Sequence, residues 1–244
     1  MITVCILAKN SAQTLERTLD SVRSFSEVIL LDNGSTDETL SIARRYANVK
    51  VVQHSFIGFG SLRNKAAQLA SHDWILALDT DEVCSPALLT ELSALTLDPQ
   101  IVYSIPRHNF YNGKHIKGCG WFPDRVFRLY HRKMTHYSPV EVHEAVITDG
   151  LSTRPLHSPI LHTPFRSTAE FLSKMQLYST LFAQQHARKR SSSLLKAFFR
   201  SLYTFFRCYF FQRGFLLGRE GFIVSLYNSN STFYKYLKLW EKNH

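Results

Sequence analysis

Apolar residues in the first 80 positions fall into four short runs, at 3–8, 28–31, 49–52 and 74–78, separated by stretches whose apolar positions recur at helical spacing. Each run is rich in β-branched residues or Leu and lacks strict alternation, the pattern of strands covered on both faces. Between them Ala12, Leu15, Leu19 and Val22 fall at i, i+3, i+7 and i+10, and Leu40, Ala43 and Ala47 at i, i+3 and i+7. Leu62, Ala66, Leu69 and Ala70 follow at i, i+4, i+7 and i+8, so each set lines one helix face. Ser35 and Glu38 form an S-x-x-E capping box ahead of the second helix. Ser85 followed by Pro86 starts a fourth, running through Leu88, Leu92 and Leu95. Four alternations of strand and helix predict an α/β fold with a doubly wound, mostly parallel sheet. Ligands of such sheets gather at the carboxyl ends of the strands. That singles out Lys9 and Asn10, Asp32 and Asn33, and Asp79, Thr80 and Asp81.

Beyond residue 100 the pattern changes. Short extended runs at 101–105 and 125–130, with many Gly, Pro and aromatic residues and 7 of the 11 histidines, predict strands and loops that extend the sheet by an antiparallel piece. Helix returns from residue 167 to roughly 188 and again over 194–211. The expected division is an α/β domain over 1–166 and a helical, basic and aromatic extension over 167–244.

Composition excludes a disordered chain: hydrophobic residues make up 45% and charged residues 20%, with only 8 Pro and 10 Gly in 244 residues. The four cysteines, Cys5, Cys84, Cys119 and Cys208, show no C-x-x-C spacing, which predicts reduced thiols and a cytoplasmic setting. The first ten residues lack a basic segment and a small-residue cleavage site, so they read as mature structure. The longest stretch free of Asp, Glu, Lys and Arg is 14 residues, 221–234, short of the ~20 a membrane span needs.

Charge is unevenly spread. Residues 1–100 carry 8 basic and 12 acidic side chains, 101–166 carry 9 and 4, and 167–244 carry 12 and 3, giving nets of −4, +5 and +9. The basic end implies a polyanionic partner. Over 194–211, Lys196, Arg200, Thr204 and Arg207 fall on one helical stripe among Leu, Phe, Tyr and Ala, after the cluster Arg188, Lys189 and Arg190. That is the pattern of a helix lying on an anionic membrane surface. The alternatives are burial of the apolar face against the α/β domain or in a homo-oligomer. Nucleic acid is not expected, since no recognised binding motif occurs and the acidic front would repel phosphates.

No glycine-rich phosphate loop follows the strands. Carboxylates stand there instead. Asp79-Thr80-Asp81, directly after an apolar strand, is a pair that can hold a hard divalent cation completed by water and a diphosphate. Structural zinc is not expected, because the histidines show no H-x-x-x-H spacing.

The segments Ile6-Leu7-Ala8-Lys9-Asn10, Ile29-Leu30-Leu31-Asp32-Asn33-Gly34-Ser35-Thr36-Asp37 and Trp74-Ile75-Leu76-Ala77-Leu78-Asp79-Thr80-Asp81-Glu82, in this order, resemble the family 2 glycosyltransferases of the GT-A fold. The resemblance implies an inverting transferase that uses a nucleotide-diphospho-sugar and a divalent metal, Mg2+ or Mn2+. By position, Asn10 and Asp32 would bind the nucleotide, Asp79 the ribose or metal, and Asp81 the metal. Arg63 and Asn64 match a nucleotide-side position. The alternatives are a turn or cap role for Asp32, a first-turn acid favoured by the helix dipole for Asp37, and an ordinary polar helix face for Arg63 and Asn64.

Gly118-Cys119-Gly120-Trp121-Phe122-Pro123-Asp124, Arg128-Leu129, Val142-His143-Glu144, His162 and the segment 215–221 are similar to a bacterial subgroup that includes lipopolysaccharide inner-core glucosyltransferases. That subgroup's frequent Asp in the last segment is replaced by Leu217 here. The resemblance implies a single transfer to a lipid-linked glycan such as lipopolysaccharide core, at the inner face of the cytoplasmic membrane. The Q-x-x-R-W motif of processive relatives is missing. Transfer to a polyprenyl phosphate or a protein, or a non-catalytic binding protein on the same fold, are the alternatives. An inverting transfer needs a general base. Glu144 is the first candidate, with Asp124 and Glu141 behind it; the alternative for Glu144 is a structural ion pair with an arginine. His162 is a candidate further metal ligand, or a hydrogen-bonded structural residue. Trp121 is a candidate sugar-stacking platform, or a packing residue.

Overall fold

The computed structural model describes residues 1–139 and 144–244. The chain forms two compact units: Met1–His108 with Asp124–His162, and Asn109–Pro123 with Thr163–His244. Residues 109–123, placed with the α/β region by their sequence pattern, thus group with the helical segment, because Tyr111, Ile116 and Cys119 share a buried cluster with Phe171, Cys208 and Val224.

In the first unit the elements run β1 (Ile2–Ala8), α1 (Ala12–Ser21), β2 (Val28–Asp32), α2 (Thr39–Ala43), β3 (Val49–Gln53), α3 (Phe59–Leu69), β4 (Trp74–Asp79), β5 (Glu82–Cys84) and α4 (Pro86–Ala94). β6 (Ile101–Tyr111) continues into the second unit, where it pairs with the short β7 (Lys114–His115); β8 (Arg125–His131), β9 (Ser152–Pro155) and β10 (Ile160–His162) return to the first. The sheet order is β3-β2-β1-β4-β8-β6-β10-β5. The first four strands are parallel, and β8 joins β4 and β6 antiparallel. This is the expected doubly wound α/β sheet with its antiparallel continuation.

Strand alternation sorts the apolar side chains onto two faces. Val4, Ile6, Leu30, Leu76 and Leu78 pack under α1, α2 and α4, while Cys5, Ile29, Leu31, Ile75 and Ala77 pack under α3. Burial on both faces explains why the strands read as unbroken apolar runs. Ser85 caps α4 as expected, its hydroxyl accepting from Leu88 N at 3.2 Å.

The second helix departs from expectation. It ends at Ala43, Thr39, Ile42 and Ala43 are its buried positions, and Ala47 lies exposed beyond it. No capping box forms, because the Ser35 hydroxyl bonds the Asp32 carboxylate and accepts from Asn10 N. Asp37 instead accepts from Thr39 N and from Ala12 N.

The second unit contains α5 (Thr168–His186), α6 (Leu194–Phe206), a π-helical turn over Arg207–Phe211, a 3-10 turn over Gly214–Leu217 and α7 (Gly218–Asn243). Ser167 and Ser193 cap α5 and α6 through Glu170 N and Lys196 N. At Gly221 a Cβ would lie 1.9 Å from the Gly214 carbonyl oxygen, so the turn can fold back on α7 only with glycine there. Leu217 packs against the unit's buried cluster, and its carbonyl accepts from Lys114 Nζ at 2.6 Å. No helix among the described residues is long and apolar enough to cross a membrane.

Candidate functional site

The parallel registers Ala8 with Asp32 and Leu7 with Asp79 bring the ends of β2, β1 and β4 side by side. Hydrogen bonds tie these ends together. Asp32, with no exposed surface, accepts from Gly34 N and Ser35 N at 3.1 Å each and from the Ser35 hydroxyl, so its carboxylate builds the turn after β2. Asn10, at a left-handed φ of 49°, accepts from Thr36 N at 2.8 Å and joins β1 to that turn. Thr80 Oγ1 donates to Ser11 Oγ at 3.0 Å, linking β4 to the same loops.

From Asp79 a ladder of alternating charges runs through the unit. Arg63 on α3 donates from Nη2 to Asp79 Oδ1 at 2.5 Å and from Nε to Glu144 Oε1 at 3.0 Å. Arg128 on β8 donates from Nη2 to Asp79 Oδ2 at 2.5 Å and to Glu82 Oε1 at 2.7 Å. Arg107 on β6 donates to Glu82 Oε1 at 3.2 Å and to Asp124 Oδ2 at 2.8 Å. Glu82, with none of its side chain exposed, also accepts from Asp79 N at 3.0 Å. The two candidate bases, Glu144 and Asp124, therefore stand at opposite ends of one network.

Burial alone would raise the pKa of Asp79, but the guanidiniums of Arg128 and Arg63 outweigh it and hold the carboxyl well below the usual carboxylate range. Burial works against the guanidinium charges too, yet Asp79 foremost keeps Arg63 and Arg128 above the ordinary arginine value. Among the described residues both guanidiniums retain one buried N–H without a partner, Arg63 Nη1 and Arg128 Nε.

Asp81 lies in the tight turn between β4 and β5, and the β10 register pairs His162 with Glu82. This brings His162 Nε2 to 3.6 Å from Asp81 Oδ2, with both side chains partly buried. Among the described residues no three His, Cys, Asp or Glu side chains converge as a complete metal cage. The pair thus supplies two donors, one carboxylate and one imidazole. Asp79 spends both oxygens on arginines.

Asn64 grips the backbone of Tyr137 in both directions, at 2.8 Å each way. A Cβ on Gly60 would lie 1.9 Å from the Ser138 carbonyl oxygen and 3.3 Å from Glu144 Cβ. Gly60 and Asn64 on α3 thereby hold Tyr137 and Ser138 against that helix, with Glu144 Cβ beside Gly60. Of the other candidates near Glu144, Glu141 and His143 lie outside the described residues. Trp121 belongs to the second unit, where its ring packs with Phe165 and Phe171, centroids 5.9 and 6.5 Å away.

Sequence reasoning did not assign roles to Glu82, Arg107 or Arg128. The readable signal was a cation inside an apolar strand, Val126-Phe127-Arg128-Leu129-Tyr130, since a strand arginine covered on both faces needs a buried acid.

Comparison with known proteins gives a consistent picture. An uncharacterized glycosyltransferase of Rickettsia typhi is 26% identical, covering 98% of this chain and 87% of its own. The lipopolysaccharide core biosynthesis glycosyltransferase LpsC of Rhizobium meliloti is 24% identical over 98% of this chain and 91% of its own. Among solved structures, a mannosyltransferase from Pyrobaculum calidifontis, crystallised with GDP-Man and Mn2+, superposes with a TM-score of 0.51 at 17% identity, covering 79% of this chain and 65% of that one. The fold is GT-A-like, as the strand order and the paired loops at the ends of β1, β2 and β4 anticipate. The model of the family "Glycosyl transferase family 2" matches residues 3–154, the stretch that contains the D-x-D turn and all but His162 of the groups around it, and the chain belongs to that family of glycosyltransferases.

Proposed function

We propose that the protein moves a single sugar from a nucleotide-diphospho-sugar to a hydroxyl of a lipid-linked glycan, with inversion at the anomeric carbon, at the cytoplasmic membrane surface. The observation that carries the reading is the Asp81–His162 pair, 3.6 Å apart at the turn after β4, where ligands of a parallel sheet gather. A carboxylate suits Mg2+ or Mn2+, which draw remaining ligands from water and a diphosphate, and the added imidazole favours Mn2+ of the two. A cation bound by Asp81 and His162 would offset the charge of the departing nucleoside diphosphate.

The chain's own groups take distinct parts. Asp79 holds Arg63 and Arg128 in place beside the site, and Asp32 and Asn10 shape the loop that meets the nucleoside. Glu144 accepts the proton of the acceptor hydroxyl: its Oε1 is held by Arg63, and Oε2 has no bond among the described residues. Asp124 is the alternative base at the other end of the ladder. The acceptor class draws its support from the Rhizobium relative, whose name places it in lipopolysaccharide core biosynthesis and which aligns along 98% of this chain.

Isothermal titration with nucleotide diphosphates and nucleotide-sugars, with and without Mn2+ or Mg2+, tests the donor side. Metal-dependent binding of one nucleotide class, lost in Asp81→Ala and weakened in His162→Ala, is expected. Equal binding without metal would overturn the metal assignment. For the base, Glu144→Gln is expected to lower kcat while leaving donor binding intact; a full rate in Glu144→Gln together with a loss in Asp124→Asn would transfer the role to Asp124.

A further inference from the structure

Helices α6 and α7 place their residues inside out. In a water-facing helix pair, small and polar side chains lie outside and large apolar ones inside. Here Ala197 and Ser225 are fully buried, and Ser201 and Ser229 bond to each other across the pair, hydroxyl to hydroxyl at 2.9 Å. Leu195 is 70% exposed, Phe199 61%, Phe211 80% and Leu216 66%. At 3.6 residues per turn, α6 together with the start of the π-helical turn that continues it divides into three sectors. Ala197, Ser201 and Cys208 face α7; Lys196, Arg200 and Arg207 form a cationic stripe; and Leu195, Phe199, Leu202, Tyr203 and Phe206 form an uncovered apolar face. The π-helical and 3-10 turns extend that face through Phe210, Phe211, Phe215 and Leu216.

We propose that this face is a wedge that immerses in the headgroup and upper acyl region of a lipid bilayer, so that apolar burial, with charge as an adjunct, holds the protein on the membrane. The inverted pattern is that of helices that meet lipid, where close packing of small residues joins the helices and large side chains face hydrocarbon. Eight cations and no Asp or Glu occur between residues 188 and 219, so the charge around the face complements an anionic leaflet. A 13-residue helix spans about 20 Å, too short for the ~30 Å hydrocarbon core, so the pair lies in the interface and does not cross. Lys196 and Arg200 sit over the Tyr236 ring, 5.8 and 5.0 Å from its centroid, which keeps these cations at the flank of the face. The proposal deepens the reading of a lipid-linked acceptor, but its measurement requires no sugar transfer.

The test is co-sedimentation of the full chain with phosphatidylcholine vesicles and with mixed phosphatidylcholine–phosphatidylglycerol vesicles, at low salt and at 1 M NaCl. The wild-type chain is expected to bind both kinds and to keep most of its binding to phosphatidylcholine at high salt. Leu195→Ser with Phe199→Ser and Phe211→Ser should reduce partitioning at least about 100-fold. Arg200→Glu with Arg207→Glu should weaken binding only to the anionic vesicles and only at low salt. Asp81→Ala should bind vesicles as the wild type does, which separates failure of this proposal from failure of the catalytic reading. Circular dichroism and nucleotide titration of the serine variant establish that it is folded. Binding abolished by 1 M NaCl on every vesicle would overturn the wedge in favour of a purely electrostatic contact. A wild-type dimer that ignores vesicles and that the same serine substitutions dissociate would instead make this face an interface between copies.

Discussion

At the end of β4 the chain buries Glu82 completely among arginines, while along α6 it leaves Phe199 more than half exposed and buries Ala197 two positions away. Both arrangements run against the usual partition of side chains between water and interior. The first is resolved within the chain: every acid on the ladder from Glu144 to Asp124 meets a guanidinium, and every guanidinium meets two acids. The second is not resolved within the chain, because no described residue covers the apolar face. A buried charge supplied with partners points inward to the construction of a site. An uncovered apolar face points outward to something the protein must meet.

The largest expected effect breaks the first region. Arg128→Leu leaves Asp79 and the buried Glu82 short of a partner each, so unfolding free energy should fall by about 3–5 kcal/mol, read from the urea midpoint. A loss below about 1 kcal/mol would mean that the ladder behaves like a set of surface pairs. Next, Asp81→Ala should lower transfer at least about 100-fold, or ~2.7 kcal/mol in the barrier. Its urea midpoint should move less than that of Arg128→Leu, because Asp81 stands 3.6 Å from His162, farther than the direct bonds that Arg128 makes to Asp79 and Glu82. Together the two substitutions separate residues that build the site from residues that act in it.

Much of the first region was legible in the sequence, since its signals are local. Apolar runs at 28–31 and 74–78 became strands with their carboxylates at the ends, and Ser85-Pro86 opened a helix through the hydroxyl that the pattern requires. The second helix was misread because Ser35 has two competitors within reach, Asp32 and Asn10, that a capping box does not consider. The ladder was hidden for a related reason. Arg63, Arg107 and Arg128 lie on three elements far apart in sequence, and only the antiparallel return of β8 beside β4 makes them neighbours. In the second region the amphipathic stripe of α6 was visible, but whether its apolar face turned inward depended on Gly214, Gly221 and the serines of α7, which draw the opposite face onto the partner helix.

A smaller effect concerns acid. The pKa of Asp79 is lowered in the folded chain, so the stability it contributes is complete above the ordinary carboxylate value near 4 and drains away as pH falls below it. Urea midpoints of the wild type should therefore drop as pH falls from 4 toward 2. Asp79→Asn, already weakened at neutral pH, should show a shallower fall over the same range. Parallel slopes for the two proteins would assign the acid sensitivity to other carboxylates.

The smallest effect, at Phe199, sharpens the comparison most when an exposed apolar side chain is set against a buried one. Leu30→Ala, at a fully buried position between two parallel neighbours, should cost about 2–5 kcal/mol of stability through lost contacts and a residual cavity. Phe199→Ser removes a larger apolar side chain, yet in water it should change stability by no more than about 0.5 kcal/mol, because most of that ring already faces solvent. Urea denaturation of the two variants without vesicles decides the matter. A cost of several kcal/mol for Phe199→Ser would show that the face is covered in the folded chain and belongs to its core. A cost near zero leaves the ring with nothing to hold inside the molecule, so a protein that keeps it there must spend it on a contact outside.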